Sequence, residues 1–178
     1  MGNILIGEDE IRERVKELAS KITSDFGREE ISIVALLKGS FVFLADIIRE
    51  FHRQGSKLVV EFIDVSSYGG ATLPQGIPQV REFVRPSVYG KNVLLIDDIL
   101  DTGRTLSKCK MILENEHPRV LKTCVFLVKK VKRVVDITPD YFGFTIEDKF
   151  IVGYGLDYNG KFRELPYIAD IEEISTPI

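Results

Sequence analysis

The segment of this sequence best suited to chemistry runs from Asp97 to Thr105 and reads DDILDTGRT. Its second half suits a phosphate, because Gly103 permits a sharp turn, threonine hydroxyls donate hydrogen bonds, and the first amides of a following helix point towards an anion. Its first half would repel a phosphate, since it carries Asp97, Asp98 and Asp101. The ligand must therefore also present vicinal hydroxyls or Mg²⁺ to the carboxylates, and a ribose 5-phosphate offers both a diol and a phosphate.

Competing phosphate motifs do not fit the spacing of this segment. The sequence contains no GxxxxGKS/T motif and no GxGxxG motif after a predicted strand, which argues against a P-loop and against a dinucleotide-binding turn. A phosphoaspartate enzyme would place Asp-x-Asp at the strand end, whereas the carboxylates here fall at 97, 98 and 101. An acidic turn that caps a helix would account for one aspartate but not for all of them.

Two further residues could form a pocket for a flat base. Lys129 follows a predicted strand, and lysine offers only donors, so it suits a 6-oxo group and not the amino group of adenine. Phe150 could stack on the base. A lysine after a strand is more often solvated and such a phenylalanine more often belongs to the core, so both interpretations depend on the Asp97–Thr105 segment. Tyr154 is interpreted as core packing.

Hydrophobic periodicity predicts the elements that must position these residues. Helices are predicted at 8–26, 41–51 and 105–115, and strands at 31–37, 58–65, 93–96 and 121–128, with shorter candidates at 141–144 and 150–152. Ser40 is a plausible N-cap of the second helix. Alternating strands and helices predict an α/β fold with a parallel sheet and helices on both faces. Ligands of such folds bind at the carboxyl ends of the strands.

The connection from about residue 66 to residue 91 is unusually long and rich in Gly, Pro and Ser. A connection of this length inside a compact domain is typically a functional lid or a disordered segment. We therefore predict a mobile loop over these residues, with a possible short strand near 79–84. Three prolines, Pro74, Pro78 and Pro86, are expected to stiffen it.

The composition predicts one soluble domain over residues 1–178. The chain is 44% hydrophobic, and its net charge of −3 argues against a general nucleic-acid-binding role. No apolar stretch approaches the length of a membrane span, and the N-terminal apolar run is too short for a signal peptide. Cys109 and Cys124 lack metal-ligand spacing and are interpreted as small buried hydrophobes, which fits the reducing cytosol.

The segment IDDILDTGRT resembles the phosphoribosyl pyrophosphate (PRPP) loop of type I phosphoribosyltransferases. Other segments are similar to the hypoxanthine-guanine branch of that family: LLKGSFVFLADIIR to the pyrophosphate loop and its helix, SSYG to the start of the mobile loop, and LVKK, DKFIVGYGLDYN and FRELPYI to the purine pocket and C-terminal segment. The similarity extends from about residue 31 to residue 169. It implies the type I phosphoribosyltransferase fold, with a central mostly parallel sheet flanked by helices, a small hood and a mobile loop.

The resemblance implies how the sugar phosphate would be held. Asp97 and Asp98 would bind the ribose hydroxyls directly or through Mg²⁺. Asp101 would lie near purine N7 as the candidate general base. The 5-phosphate would be cradled by Thr102, Gly103, Arg104 and Thr105. Many relatives have Glu-Asp where this chain has Asp97-Asp98, and the shorter acid changes the reach towards the diol or the metal.

The resemblance also implies the residues that meet pyrophosphate and base. Pyrophosphate would contact Arg163, Lys38 and Gly39, and the Leu37–Lys38 peptide is commonly cis in this family. The purine would contact Lys129, Phe150, Ile151 and Asp157, of which Asp157 would also help to hold a second Mg²⁺. Ser67 and Tyr68 would belong to the lid.

The function implied by the resemblance is purine salvage. A cytoplasmic homodimer or homotetramer would transfer the phosphoribosyl group from PRPP to hypoxanthine or guanine, giving IMP or GMP and pyrophosphate. A related enzyme acting on xanthine stays open, whereas Lys129 and the DKFIVGYGLDY segment argue against a pyrimidine. A regulator that binds PRPP without catalysis is a further alternative, against which the intact Asp101 and pyrophosphate loop count.

Overall fold

A computed structural model of the chain describes residues 3–64 and 87–171. Its helices are α1 (Glu8–Phe26), α2 (Phe41–Arg53) and α3 (Arg104–Glu114). Its strands are β1 (Ile4–Ile6), β2 (Ile31–Leu37), β3 (Leu58–Asp64), β4 (Asn92–Leu100), β5 (Val120–Lys129), β6 (Tyr141–Ile146), β7 (Ile151–Val152) and β8 (Ile168–Asp170). None of the described helices combines the length and the apolar character that a membrane span requires.

Five strands form a sheet in the order β3-β2-β4-β5-β6, and every neighbouring pair is parallel. The near-continuous apolar sequences of β2 and β4 occupy the centre, as expected of strands that are buried on both faces. This arrangement confirms the predicted α/β fold class with its parallel sheet. All five strands therefore end at one edge, which collects the residues that follow them.

Helices cover both faces of this sheet. In β2, Ile31, Ile33 and Ala35 belong to the core cluster that includes α1 and α2. The alternate residues Val34 and Leu36 belong to a second cluster that includes α3. This alternation follows from the two-residue period of a strand. It produces a three-layered core in which α3 is the described helix on the second face.

Phe126 of β5 lies at the centre of the larger cluster. Its ring centroid is 5.1 Å from that of Phe43, 4.8 Å from that of Tyr154 and 5.7 Å from that of Phe144. The Tyr154 ring is buried, and its hydroxyl donates to Asp46 Oδ2 at 2.8 Å. The interpretation of Tyr154 as core packing is confirmed, and this hydrogen bond ties the chain after β7 to α2.

A second, antiparallel sheet has the order β1-β8-β7. Ile4 pairs with Ala169 of β8, and Ile151 of β7 pairs with Asp170. This small sheet corresponds to the hood that the family resemblance implied. The sequence did not reveal β1 or β8, because strands of three residues are too short to show a period.

The strands β4, β5 and β6 extend further than predicted, and the extension of β4 changes the local setting of the acidic residues. The predicted strand ended at Ile96, whereas β4 continues to Leu100 because Ile99 and Leu100 keep their pairing with Leu127 and Val128 of β5. Asp97 and Asp98 therefore lie on the strand and not after it. Lys129 is likewise the last residue of β5.

Two local predictions need correction. Ser40 stands at the N-cap position of α2 but caps no helix amide; its hydroxyl donates to the Leu36 carbonyl, at 2.5 Å. The predicted mobile loop extended to residue 91, yet Val88 is buried in the α3-side cluster and the Lys91 amide donates to its carbonyl at 3.1 Å. The possible strand at 79–84 and the rest of the predicted lid lie outside the described residues.

The interpretation of both cysteines as buried small hydrophobes is confirmed. Cys109 lies in the α3-side cluster and Cys124 in the larger cluster, and both are free thiols. Burial raises the pKa of the Cys109 thiol to about 12, which keeps it protonated and unreactive.

Candidate active site

The residues predicted to do chemistry gather where β2, β4 and β5 end. Lys38 and Gly39 follow β2, Asp101 follows β4, and Lys129 ends β5. The register places Leu100 opposite Val128, so the positions that come next, Asp101 and Lys129, are neighbours across the sheet edge. Parallel pairing thus brings residues that are distant in sequence together at one edge of the sheet.

Two adjacent carboxylates lie at the base of this cluster. Asp97 is only 6% exposed, and its Oδ1 accepts the Asp98 amide hydrogen at 3.0 Å. Burial, together with the negative charge of Asp98, raises the pKa of Asp97 well above its usual value. Burial also raises the pKa of Asp98, although the Ile99 amide and the charge of Arg163 favour its ionised form. The pair therefore lies where a cation or hydroxyl groups would stabilise it.

Gly39 lies directly against Asp98. A Cβ atom at Gly39 would lie 1.5 Å from Asp98 Oδ2, so no other residue fits there without moving the carboxylate. The peptide bond between Leu37 and Lys38 is cis, as the family resemblance implied. Gly39 of the predicted pyrophosphate loop is thus in direct contact with Asp98, a predicted ribose-binding acid.

The same loop also meets the chain that follows β7. Gly155 has φ +98°, and a Cβ atom there would lie 2.2 Å from the Gly39 carbonyl oxygen. Arg163 donates to the Gly155 carbonyl at 2.6 Å, and its second terminal nitrogen lies 2.6 Å from Asp157 Oδ1. Arg163 and Asp157 are therefore brought to the predicted pyrophosphate side of the site and pair with each other.

The predicted phosphate turn is formed as the sequence suggested. Gly103 adopts the left-handed conformation at φ +82° and precedes α3, which begins at Arg104. The Thr102 carbonyl accepts the amides of Val134 and Val135, each at 3.1 Å. Thr105 thus lies in the first turn of α3, where helix amides lack intrahelical partners and attract anions. Because Gly103 stands at the cap position, Asp101 is not the helix cap.

Lys129 forms ion pairs with two carboxylates. Its Nζ lies 3.7 Å from Asp101 Oδ2 and 3.3 Å from Asp148 Oδ1, and its side chain is 13% exposed. The Lys129 side chain is therefore mostly buried and not solvated, and its contact with a base stays a prediction. Sequence reasoning missed Asp148, since nothing in the EDKF segment marks a contact with a residue nineteen positions earlier.

The two remaining predicted purine contacts lie at the start of β7: Phe150 precedes that strand and Ile151 is its first residue. Phe150 is half exposed, and its ring meets the Tyr158 ring edge-on at 5.5 Å. Ile151 is buried and pairs with Asp170 of β8. The small sheet therefore fixes the backbone at Ile151, next to the half-exposed ring of Phe150. The predicted lid residues Ser67 and Tyr68 lie outside the described residues.

The donor set fits Mg²⁺ only in part. Across residues 3–64 and 87–171, no three acidic, histidine or cysteine side chains are grouped as a metal site. Asp97 and Asp98 nevertheless fit a magnesium ion that takes its other ligands from a substrate, since Mg²⁺ is often held by one or two carboxylates plus phosphates. Burial is the main cause of the raised pKa values of both carboxyl groups, and a bound cation would favour their ionised forms.

Comparison with known proteins identifies the class to which this fold and site belong. The phosphoribosyl transferase domain family matches residues 7–159, and the chain belongs to that family. A hypoxanthine-guanine phosphoribosyltransferase of Aquifex aeolicus is 47% identical over 171 residues, covering 96% of this chain and 94% of that protein. The resemblance to the hypoxanthine-guanine branch is confirmed.

Solved structures give the same result. A hypoxanthine-guanine phosphoribosyltransferase of Bacillus anthracis is 44% identical with a TM-score of 0.86, over 94% of this chain and 97% of that one. A hypoxanthine phosphoribosyltransferase of Trypanosoma cruzi, solved with the product IMP, is 37% identical with a TM-score of 0.85, over 94% of this chain and 92% of that one. Both alignments cover nearly the whole chain, so the likeness extends over the fold and is not limited to one motif.

The raised pKa of Asp97 predicts that its carboxylate lowers the stability of the folded protein. A carboxyl whose folded pKa is raised favours folding only while it is protonated, and that contribution is lost as the pH rises through the folded value. Asp97→Asn should therefore raise the free energy of unfolding at pH 8 by about 0.5–2 kcal/mol, the range of single stabilising substitutions. Urea unfolding at pH 8 and pH 5 measures the gain, which should be smaller at pH 5.

Asp140→Asn is the matched control with the opposite sign. Burial would raise the pKa of Asp140, but hydrogen bonds from Lys122 and Thr123 outweigh it and lower that pKa. This substitution should destabilise the protein above the usual aspartate pKa, and the loss should fade as the pH falls through the folded value. Equal destabilisation by both substitutions at pH 8 would contradict the assignment of Asp97.

Proposed function

We propose that this chain catalyses purine salvage by transferring the 5-phosphoribosyl group from PRPP to hypoxanthine or guanine, with release of IMP or GMP and pyrophosphate. The supporting observation is the pairing of Lys129 Nζ with Asp101 Oδ2 at 3.7 Å. A 6-oxopurine presents O6 and N7 side by side on one edge. Lys129 can donate to O6, and Asp101 can accept the proton that N7 carries. The pair therefore complements this edge of the base.

Asp101 acts in this proposal as the general base. Its side chain is 49% exposed, at the strand end that leads directly into the phosphate turn. A ribose whose phosphate occupies that turn would present its anomeric carbon towards this strand end. The carboxylate then accepts the N7 proton as N9 attacks, and its charge also stabilises the positive charge of an oxocarbenium-like transition state.

The departing pyrophosphate is held by the loop after β2. Lys38 supplies a positive charge there, and Gly39 leaves its backbone accessible beside Asp98. Arg163 lies behind that loop through its hydrogen bond to the Gly155 carbonyl. These groups would stabilise the negative charge that builds on pyrophosphate as the sugar bond breaks. Mg²⁺ held by Asp97 and Asp98 would neutralise charge on the ribose and pyrophosphate oxygens.

Several properties of the proposed enzyme extend from the family. We propose that residues 1–178 form one domain, that the enzyme works in the cytoplasm as a homodimer or homotetramer, and that Asp157 helps to hold a second Mg²⁺. Ser67 and Tyr68 would belong to a loop that closes over the bound substrates and excludes water, which could otherwise hydrolyse PRPP.

A single assay tests the proposed reaction. The purified protein is supplied with PRPP, Mg²⁺ and one radiolabelled base at a time: hypoxanthine, guanine, xanthine, adenine or uracil. We expect nucleotide formation with hypoxanthine and guanine, and none with uracil, because Lys129 requires a 6-oxo acceptor beside N7. Preferred use of xanthine would identify the chain as a xanthine phosphoribosyltransferase. Turnover of no base would favour a PRPP-binding regulator.

Replacing Asp101 tests its role as base. Asp101→Asn keeps the shape of the side chain but removes its charge and basicity, so kcat should fall by roughly two orders of magnitude or more. The PRPP dissociation constant should change little, since the interaction is made mainly in the transition state. Both constants and the melting temperature are measured on one preparation. A near-normal kcat would defeat the assignment.

Replacing Lys129 tests the choice of base. Lys129→Gln places an acceptor at the end of the side chain and removes the ammonium between Asp101 and Asp148. Activity with hypoxanthine and guanine should be lost, whereas any detectable adenine reaction should decline less. Steady-state kinetics with the three bases provide the measurement. Unchanged kinetics with both 6-oxopurines would show that Lys129 does not contact the base.

A further inference from the structure

The ammonium of Lys129 has two carboxylate neighbours that come from different strands. Asp101 follows β4, and Asp148 follows β6, while Lys129 ends β5 between them. The register pairs Lys129 with Ile146, which places Asp148 just beyond the end of that ladder. The lysine is therefore held from both sides along the sheet edge.

The two contacts are not equivalent. Asp148 Oδ1 lies 3.3 Å from Lys129 Nζ and accepts a hydrogen bond, whereas Asp101 Oδ2 lies at 3.7 Å, an ion-pair distance beyond a normal hydrogen bond. The closer partner is thus the residue to which the proposed reaction assigns no role. A lysine side chain has four rotatable bonds, so its ammonium has no fixed position unless a partner supplies one.

We propose that Asp148 is a positioning residue for base recognition, which holds the Lys129 ammonium at a distance from Asp101 where it can donate to a purine O6. This inference rests on the proposed function. An ammonium has three donors, so Lys129 can bond Asp148 and still offer hydrogens to the base. Asp101 meanwhile keeps its carboxylate available for the N7 proton.

Removal of Asp148 has a defined physical consequence. Without Asp148, the ammonium of Lys129 should move towards Asp101, because Asp101 is then its nearest opposite charge. A direct Lys129–Asp101 hydrogen bond would occupy both the donor for O6 and the acceptor for N7. Base binding would weaken, and PRPP binding at Asp97, Asp98 and the phosphate turn would not.

A neighbouring ion pair provides a matched control. Lys130 Nζ lies 2.5 Å from Glu147 Oε1, and both side chains are more than half exposed. This pair joins the same two strand ends at adjacent positions. Neither Lys130 nor Glu147 has a role in the proposed reaction. Exposed pairs contribute little to stability, so Asp148→Asn and Glu147→Gln should unfold at similar urea concentrations.

The test compares kinetics and product binding of both variants with the wild type. Asp148→Asn should raise the KM for hypoxanthine and guanine, and the IMP dissociation constant measured by calorimetry, by about three- to tenfold, the effect of one ordinary hydrogen bond. The KM for PRPP should stay within about twofold of the wild type. Asp148→Glu, which restores the charge, should recover part of the loss, and Glu147→Gln should leave all constants unchanged.

Several results would overturn the inference. Wild-type values of base KM and IMP dissociation constant in Asp148→Asn would show that Lys129 needs no second carboxylate. An equal rise in the KM for PRPP, or the same losses in Glu147→Gln, would indicate general disturbance of the sheet edge. If the wild-type protein turns over no 6-oxopurine, the proposed function fails first and this inference fails with it.

Discussion

The parallel register of β2, β4, β5 and β6 is the constraint on which the site depends. It fixes which strand ends are neighbours, so that the loop after β2 meets β4 and the end of β5 lies between those of β4 and β6. A shift of one residue in any strand would send its side chains to the opposite face. The buried apolar residues of these strands therefore define the geometry of the polar edge as well as the stability of the core.

Close backbone contacts then join the edge to the small sheet. Gly39 lies against Asp98 on one side and its carbonyl against Gly155 on the other, with no space for a Cβ in either contact. Arg163 bonds the Gly155 carbonyl and pairs with Asp157. The groups proposed for ribose, pyrophosphate and metal are thus connected through the backbone of Gly39 and Gly155, which restricts their relative movement.

Local sequence was sufficient for the contiguous parts of this arrangement. The apolar run of β2 and the turn at Gly103 were predictable because their signals lie within a few residues. The contact of Lys129 with Asp148, the strands β1 and β8, and the close approach at Gly155 depend on chain segments far apart in sequence. No local pattern encodes such pairings, so they required the folded structure. The family resemblance, not periodicity, supplied the roles of Asp157 and Arg163.

The pairing of β1 with β8 has a consequence for synthesis of the protein. Ile4 and Ile6 emerge early from the ribosome, yet their partners Ala169 and Ile168 are translated after the entire five-stranded sheet. At about 5–20 residues per second, β1 waits for its partner for roughly ten seconds or more. The large sheet has time to form first, and the small sheet that carries Ile151 beside the base pocket is completed last. Newly made chains should therefore acquire their core before they acquire a finished base pocket.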